Sequence, residues 1–205
     1  MHPSFNDESS PNLQMRPARK HDHVVRFYND DVTLIGEWAD YIGTALSCGS
    51  SVVVIATRPH LDGISARLAA YGVDVPEAIA EDRYLARNAT EALTEFFRGG
   101  KFDETRFYAM ATRTIARAAK ASREENHSVV AFGEMVALLW KQGHKAAAIG
   151  LERLWNTLAV AHSFTLRCGY PANDFRHFDH QQPFLDICAE HSVVILDVAR
   201  GPFSA

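Results

Sequence analysis

Residues 51–57 read SVVVIAT. Val52, Val53, Val54 and Ile55 are four β-branched residues in a row, with no polar position between them. A strand with one wet face alternates, whereas a strand covered on both faces runs continuously apolar. This segment therefore predicts a central strand of a parallel sheet with helices on both sides. Parallel neighbours need a crossover between strands, usually a helix. The surrounding chain supplies them.

Upstream, His23–Tyr28 reads as a strand. Asp30 or Asp31 can cap a helix whose apolar face is Ile35, Trp38, Ile42 and Leu46, and Gly49 lies just past its end. Downstream, a helix runs from about Leu61 to Tyr71, stopping at Gly72. Tyr84–Arg87 reads as a short strand. Thr90–Arg98 reads as a helix ending at Gly99-Gly100. Asp103 can cap a long helix bearing Phe107, Ala111, Ile115 and Ala118 on one face. Ser128–Phe132 is the next strand, followed by helices near Glu134–Lys141 and Lys145–His162 and by a strand at Phe164–Cys168. Pro183–Glu190 reads as helix and Ser192–Leu196 as a closing strand. The expectation is an α/β three-layer sandwich with a mostly parallel central sheet and helices on both faces. Residues 1–20, with Pro3, Pro11 and Pro17 among polar residues, are expected to be a disordered tail. Residues 21–205 are expected to form a single domain.

Composition narrows the function classes. The 205 residues are 47% apolar, carry a net charge of −4 and have a pI near 6.2. That balance gives no support for binding nucleic acid or an anionic membrane. The one basic cluster, Arg16, Arg19 and Lys20, is short. The apolar runs at 52–56 and 193–196 are too short to span a bilayer, and no signal segment opens the chain. Cys48, Cys168 and Cys188 are an odd, sparse set, which fits reduced thiols in the cytoplasm.

No GxxxxGK[ST] loop and no GxGxxG follows a strand, so a phosphate would lack its backbone cradle. This argues against ATP hydrolysis, and no cofactor is expected. His21 and His23 flank Asp22; His177 and His180 bracket Phe178 and Asp179, with His191 farther on. Neither group has the spacing of a strong zinc motif, and the expectation is solvent-facing histidines with no metal site. Cys168 ends an apolar strand with no histidine placed beside it by sequence, His162 included, and reads as a buried small residue. Cys188 reads as a core position.

Two carboxylates are harder to assign. Glu134 stands at a strand-to-helix junction, either answering the free N–H groups there or lining a pocket. Glu152 and Asn156, four apart, share one helix face. Glu152 is either a surface partner of Arg153 or Lys145, or a pocket group, since buried carboxylates are rare unless paired or functional. Trp140 and Trp155 read as core residues first and pocket walls second.

The segments HVVRFYND (23–30), SVVVIATRPH (51–60), FGEMVALLWKQG (132–143), LERLWN (151–156), LRCGYP (166–171) and FLDICAEHS (184–192), in this order and spacing, resemble the MEDS domain. That sensory domain is named after methanogens, methylotrophs and a dichloromethane-responsive regulator. The resemblance implies a RecA-like fold without a P-loop. It also implies a cytoplasmic prokaryotic module that senses small molecules, hydrocarbon derivatives among them, rather than transforming them. Family positions carry over to His23, Tyr28, His60, Glu134, Trp140, Glu152, Trp155, Asn156, Cys168, Tyr170 and His191.

The expected ligand-binding set is Glu134, Trp140, Glu152, Trp155, Asn156, Tyr170, His60, Tyr28 and Cys168, in a crevice at the strand ends. The domain is expected to stand alone, without the kinase or DNA-binding domain that often accompanies this one. Its output is expected through a separate signalling protein (a kinase or transcription regulator) or through homo-oligomerisation. The expected function is a stand-alone sensory or regulatory domain, not an enzyme. Two alternatives stand beside it. One is a hydrolase or lyase using Glu134 with Cys168 or a histidine. The other is a non-catalytic RecA-like interaction module.

Overall fold

The continuous apolar runs become strands buried end to end. In the computed structural model, which describes residues 22–124, 128–175 and 181–197, β1 (His23–Tyr28) and β2 (Ser51–Ala56) are buried at every position. β3 is Tyr84–Asn88, β6 is Val129–Gly133, β7 is Thr165–Pro171 and β8 is Val193–Leu196. These six make one sheet in the order β3-β2-β6-β7-β1-β8, and every pairing is parallel. The expected three-layer α/β architecture is what the chain adopts.

Alternation along each strand divides the core into two layers. Val52, Val54, Val130, Phe132 and Tyr28 face α1 (Asp31–Ser47), α2 (Arg58–Ala70) and α3 (Val75–Ala80). Val53, Ile55, Val25, Phe27, Leu166, Cys168 and Tyr170 face the other layer. That layer holds α4 (Ala89–Phe96), α5 (Glu104–Ala121), α6 (Met135–Lys141), α7 (Lys145–Ala161) and α8 (Gln181–Ala189). Fully burying one such aliphatic or aromatic side chain contributes about 1.5–3 kcal/mol, so both layers are needed to hold the central strands.

The caps fall where short polar residues precede the helices. Asp30 accepts from Thr33 N at 2.8 Å, and Asp103 accepts from Arg106 N at 3.0 Å. Several short elements were not foreseen. Gly99 and Gly100, at φ +57° and +76°, turn a two-stranded antiparallel hairpin of β4 (Phe97–Arg98) and β5 (Lys101–Phe102). The preceding helix therefore stops at Phe96 rather than Arg98. The short α3, with Pro76 in its first turn, fills the connection before β3.

Arg26 is buried on β1 and bridges outward from it. Its guanidinium donates to Glu37 on α1 and to Asp197 just past β8, with Nη2 2.5 Å from each carboxylate. At Gly169, an added Cβ would meet Trp38 Cζ2 at 3.0 Å, so only glycine lets α1 lie this close to β7. Among the described residues, no helix is long and apolar enough to cross a membrane. The tail expected over residues 1–20, and His21, His177 and His180, lie outside the described residues.

Candidate functional site

The chain leaves β1 and β2 toward the α1–α3 layer, and leaves β6 and β7 toward the opposite one. Where adjacent strands diverge in this way, their carboxyl ends form the usual ligand crevice of an open α/β sheet. β2 and β6 are such a pair, and Glu134 stands just past β6. Its carboxylate accepts from Thr57 N, just past β2, at 2.7 Å, and forms a short hydrogen bond with His60 Nδ1. Asp31 Oδ1 lies 3.3 Å from His60 Nε2, and the Tyr28 ring stands edge-on to the imidazole at 6.3 Å. Burial alone would lower the pKa of His60, but the hydrogen bond and charge of Glu134, with those of Asp31, raise it. Burial, and then the charges of Glu134 and Asp31, push the Tyr28 phenol up. One of the two roles open to Glu134, beside a pocket group, was to answer the N–H groups of its own helix. Glu134 instead answers the start of α2, and makes no side-chain cap to α6.

The second centre lies on the other side of the sheet. Glu152, on α7, is fully buried, and the reading of it as a surface partner of Arg153 or Lys145 fails; Arg153 pairs with Glu190 at 2.7 Å instead. Tyr170 OH donates to Glu152 Oε1 at 2.9 Å, and Cys168 Sγ donates to Oε2 at 3.2 Å. His23 Nε2 lies 3.2 Å from Oε2 and 3.4 Å from Cys168 Sγ. His191 Nε2 lies 3.5 Å from Oε1, and the two imidazoles are tilted against each other at 4.0 Å between centroids. Asn156 Oδ1 is 2.8 Å from His23 Nδ1, while its Nδ2 donates to Glu190 O at 2.9 Å. Four segments thus meet at one carboxylate: β1, α7, β7 and the turn between α8 and β8.

Electrostatics follow from this packing. Burial would raise the pKa of Glu152, but the nearby His191 and His23 and the Cys168 thiol lower it overall, so the group is held as a carboxylate. Burial and the Glu152 charge push the Cys168 thiol and the Tyr170 phenol well up. Burial holds His191 below the ordinary imidazole range.

The structure therefore divides the residues expected to share one crevice. Tyr28, His60 and Glu134 sit together on the α2 side. Glu152, Asn156, Cys168 and Tyr170 sit together on the α7 side, joined by His23 and His191. Trp140 stacks on Phe175 at 4.4 Å, and its Nε1 donates to Asp174 O at 3.3 Å. Trp155 packs edge-on to Phe107 at 5.1 Å. Both tryptophans are core residues beside the second centre. The histidine that meets Cys168 is His23, whereas His162 lies 3.5 Å from Thr112 Oγ1. Cys168, His23 and Asn156 have the connectivity of a nucleophile, a base and an orienting group. The buried thiol beside a carboxylate, however, is the reverse of the electropositive, accessible setting that activates a cysteine. Alternation along β1 and β7 could have put His23, Cys168 and Tyr170 on one face, but sequence gave no sign that β1 and β7 are neighbours.

No curated protein matches the chain. Comparison with known families matches residues 22–182 to MEDS, described as the methanogen/methylotroph, DcmR sensory domain. The match spans β1 through the first turn of α8, including both centres except His191. The chain belongs to the MEDS sensory-domain family.

Proposed function

We propose that this chain is a cytoplasmic sensory module that binds a small molecule and passes the event to a separate signalling protein without chemical turnover. The observation that carries this reading is the Glu152 centre within a sensory-family domain. A fully buried carboxylate holds side chains from β1, α7 and β7 and the α8–β8 turn, so a ligand engaging it shifts the packing of several elements at once. Small hydrocarbon derivatives suit the apolar surroundings, where Tyr170, Trp140 and Phe175 pack together. The crevice of Glu134, His60 and Tyr28 is the alternative docking place, at the strand divergence. The enzyme reading that pairs Glu134 with Cys168 is disfavoured because those groups face opposite layers.

One observation favours an interaction role in addition. Among the described residues, the edge strand β8 pairs with β1 alone and exposes Val193, Val194 and Leu196 by about two-fifths each. Such an edge suits strand addition by a partner or a second copy.

The test is thermal unfolding against a panel of short alcohols, halogenated methanes and small organic acids. A ligand at a hundred times its Kd stabilises by about 2.7 kcal/mol. For a chain of this size that raises Tm by roughly 5–10 °C. Such a shift with the compound recovered unchanged supports the sensor. Consumption of the compound would establish an enzyme instead, and a flat response across the panel would remove the small-molecule reading.

A further inference from the structure

We infer that His23, Glu152, Cys168 and His191 form a binding site for a zinc-class divalent cation. Among the described residues, these four offer one ligand atom each, all within 4.8 Å of one another. His23 Nε2 and Cys168 Sγ each lie 3.2 Å from Glu152 Oε2 and 3.4 Å from one another, while His191 Nε2 lies 3.5 Å from the other carboxylate oxygen, Oε1. Tetrahedral zinc with its usual bonds to nitrogen, oxygen and sulfur holds its ligands about 3.3–3.7 Å apart. Three of the four ligand atoms are therefore already near coordinating separation, with His191 within 4.8 Å of them, and each residue comes from a different part of the fold.

The hydrogen bonds around the centre fix which atoms face inward. Ile187 O can only accept, so His191 Nδ1, 2.7 Å from it, carries the hydrogen and Nε2 carries the lone pair. Asn156 Nδ2 is committed to Glu190 O, so its Oδ1 accepts from His23 Nδ1. His23 Nε2 is then also an inward lone pair. Orienting metal-binding imidazoles through the opposite ring nitrogen is the usual role of groups just outside a metal site. Tyr170 OH does the same for the carboxylate through Oε1.

That leaves the centre short of donors. Two imidazole lone pairs, two carboxylate oxygens and a sulfur face one another, while only Tyr170 OH and the Cys168 thiol can donate. His191 Nε2 is buried with no hydrogen-bond partner, and the carboxylate oxygen 3.5 Å from it is another acceptor. A cation among these atoms removes the conflict. On binding, the Cys168 S–H loses its proton to solvent and an S–metal bond forms. One thiolate, one carboxylate and two neutral imidazoles then balance a 2+ ion with no net charge buried. The mixed nitrogen, sulfur and oxygen set suits zinc and cobalt better than calcium or magnesium, which take oxygen alone. With four protein ligands the ion needs no further donor, and an organic ligand that engages Glu152 would compete with it. It would tie the α8–β8 turn to the sheet through His191. The inference does not depend on the domain sensing an organic ligand.

The experiment uses the full chain, stripped with chelator and titrated with Co²⁺ and then Zn²⁺. The expected result is one equivalent of Co²⁺, with intense visible bands of tetrahedral cobalt and a sulfur-to-cobalt charge-transfer band, displaced by Zn²⁺. Cys168→Ser should abolish the charge-transfer band. His191→Ala should convert the spectrum away from four-coordinate. Asn156→Leu, which leaves every ligand in place, should weaken Zn²⁺ binding about 10- to 100-fold. His60→Asn, in the other centre, should leave the spectrum unchanged. The inference is overturned by the absence of tetrahedral Co²⁺ in the unmodified protein, which needs no variant to fold. It is overturned equally by a spectrum that survives both Cys168→Ser and His191→Ala, which would place the ion elsewhere.

Discussion

Replacing Glu152 by Gln changes one oxygen for an amide nitrogen and leaves the volume of the side chain almost unaltered. Its effect on the metal-free protein is therefore electrostatic and hydrogen-bonding, not a cavity. Tyr170 OH keeps an acceptor if the amide oxygen takes the Oε1 position, 2.9 Å away. The Oε2 position then becomes an NH₂ facing Cys168 Sγ at 3.2 Å and His23 Nε2 at 3.2 Å. The new NH₂ can donate to His23 Nε2, but Cys168 loses its charged acceptor and Tyr170 OH now donates to a neutral one, inside a buried site. A hydrogen bond to a charged group contributes about 1.5–3 kcal/mol, so losing the one from Cys168 costs a sizeable part of the roughly 5–15 kcal/mol that holds a domain folded. Urea unfolding followed by circular dichroism, with chelator present, should show that loss as a lower midpoint at unchanged slope. A double-mutant cycle with His23→Gln should give a coupling of about 1–3 kcal/mol, as for residues sharing one network. A cost below about 1 kcal/mol, typical of an exposed site, or additive single effects would refute the claim that this carboxylate organises the centre.

Three further outcomes follow from the same geometry. Gly169→Val should destabilise by about 1–3 kcal/mol in urea, because the new side chain drives into Trp38, which is itself packed on Phe132; a neutral effect would mean α1 can move away. The pKa of His60 is raised in the folded state, so its stabilising contribution is complete below its ordinary value of 6.5 and is lost as pH climbs through the raised value. His60→Asn should therefore flatten the stability profile above neutrality, and an unchanged urea-midpoint profile would contradict the pairing with Glu134. Of the three free thiols, exposed Cys48 should react with a thiol reagent at once and Cys168, at 1% exposure, only on unfolding; rapid labelling of Cys168, read by peptide mass mapping, would reopen the nucleophile reading.

Much of the fold was legible because its signals are local. Continuous β-branched runs, capping aspartates at 30 and 103 and glycines past helix ends each act within a few residues. The β4–β5 hairpin escaped because Phe97–Arg98 and Lys101–Phe102 are too short to show a period, although Gly99-Gly100 is a turn signal in itself. α3 escaped because six residues with a proline resemble a loop. The candidate site was only half legible. Asn156 and Glu152 were rightly placed on one face, and Glu134 at a strand end. Sequence could not show that the sheet separates Glu134 from Glu152, since that depends on strand order. Nor could it join His23 to His191. Ligand-spacing rules detect residues held by one turn or helix, whereas here β8 pairs with β1 and carries the chain's far end back to its start.

The central claim, that this domain recognises a ligand through the Glu152 centre, is tested most directly by native mass spectrometry of the protein as purified, beside the same sample denatured. The account predicts a non-covalent adduct, one per chain, that is released on denaturation and absent from the Glu152→Gln protein. A native mass equal to that of the bare chain, unchanged after incubation with zinc and with the small-molecule panel, would contradict it.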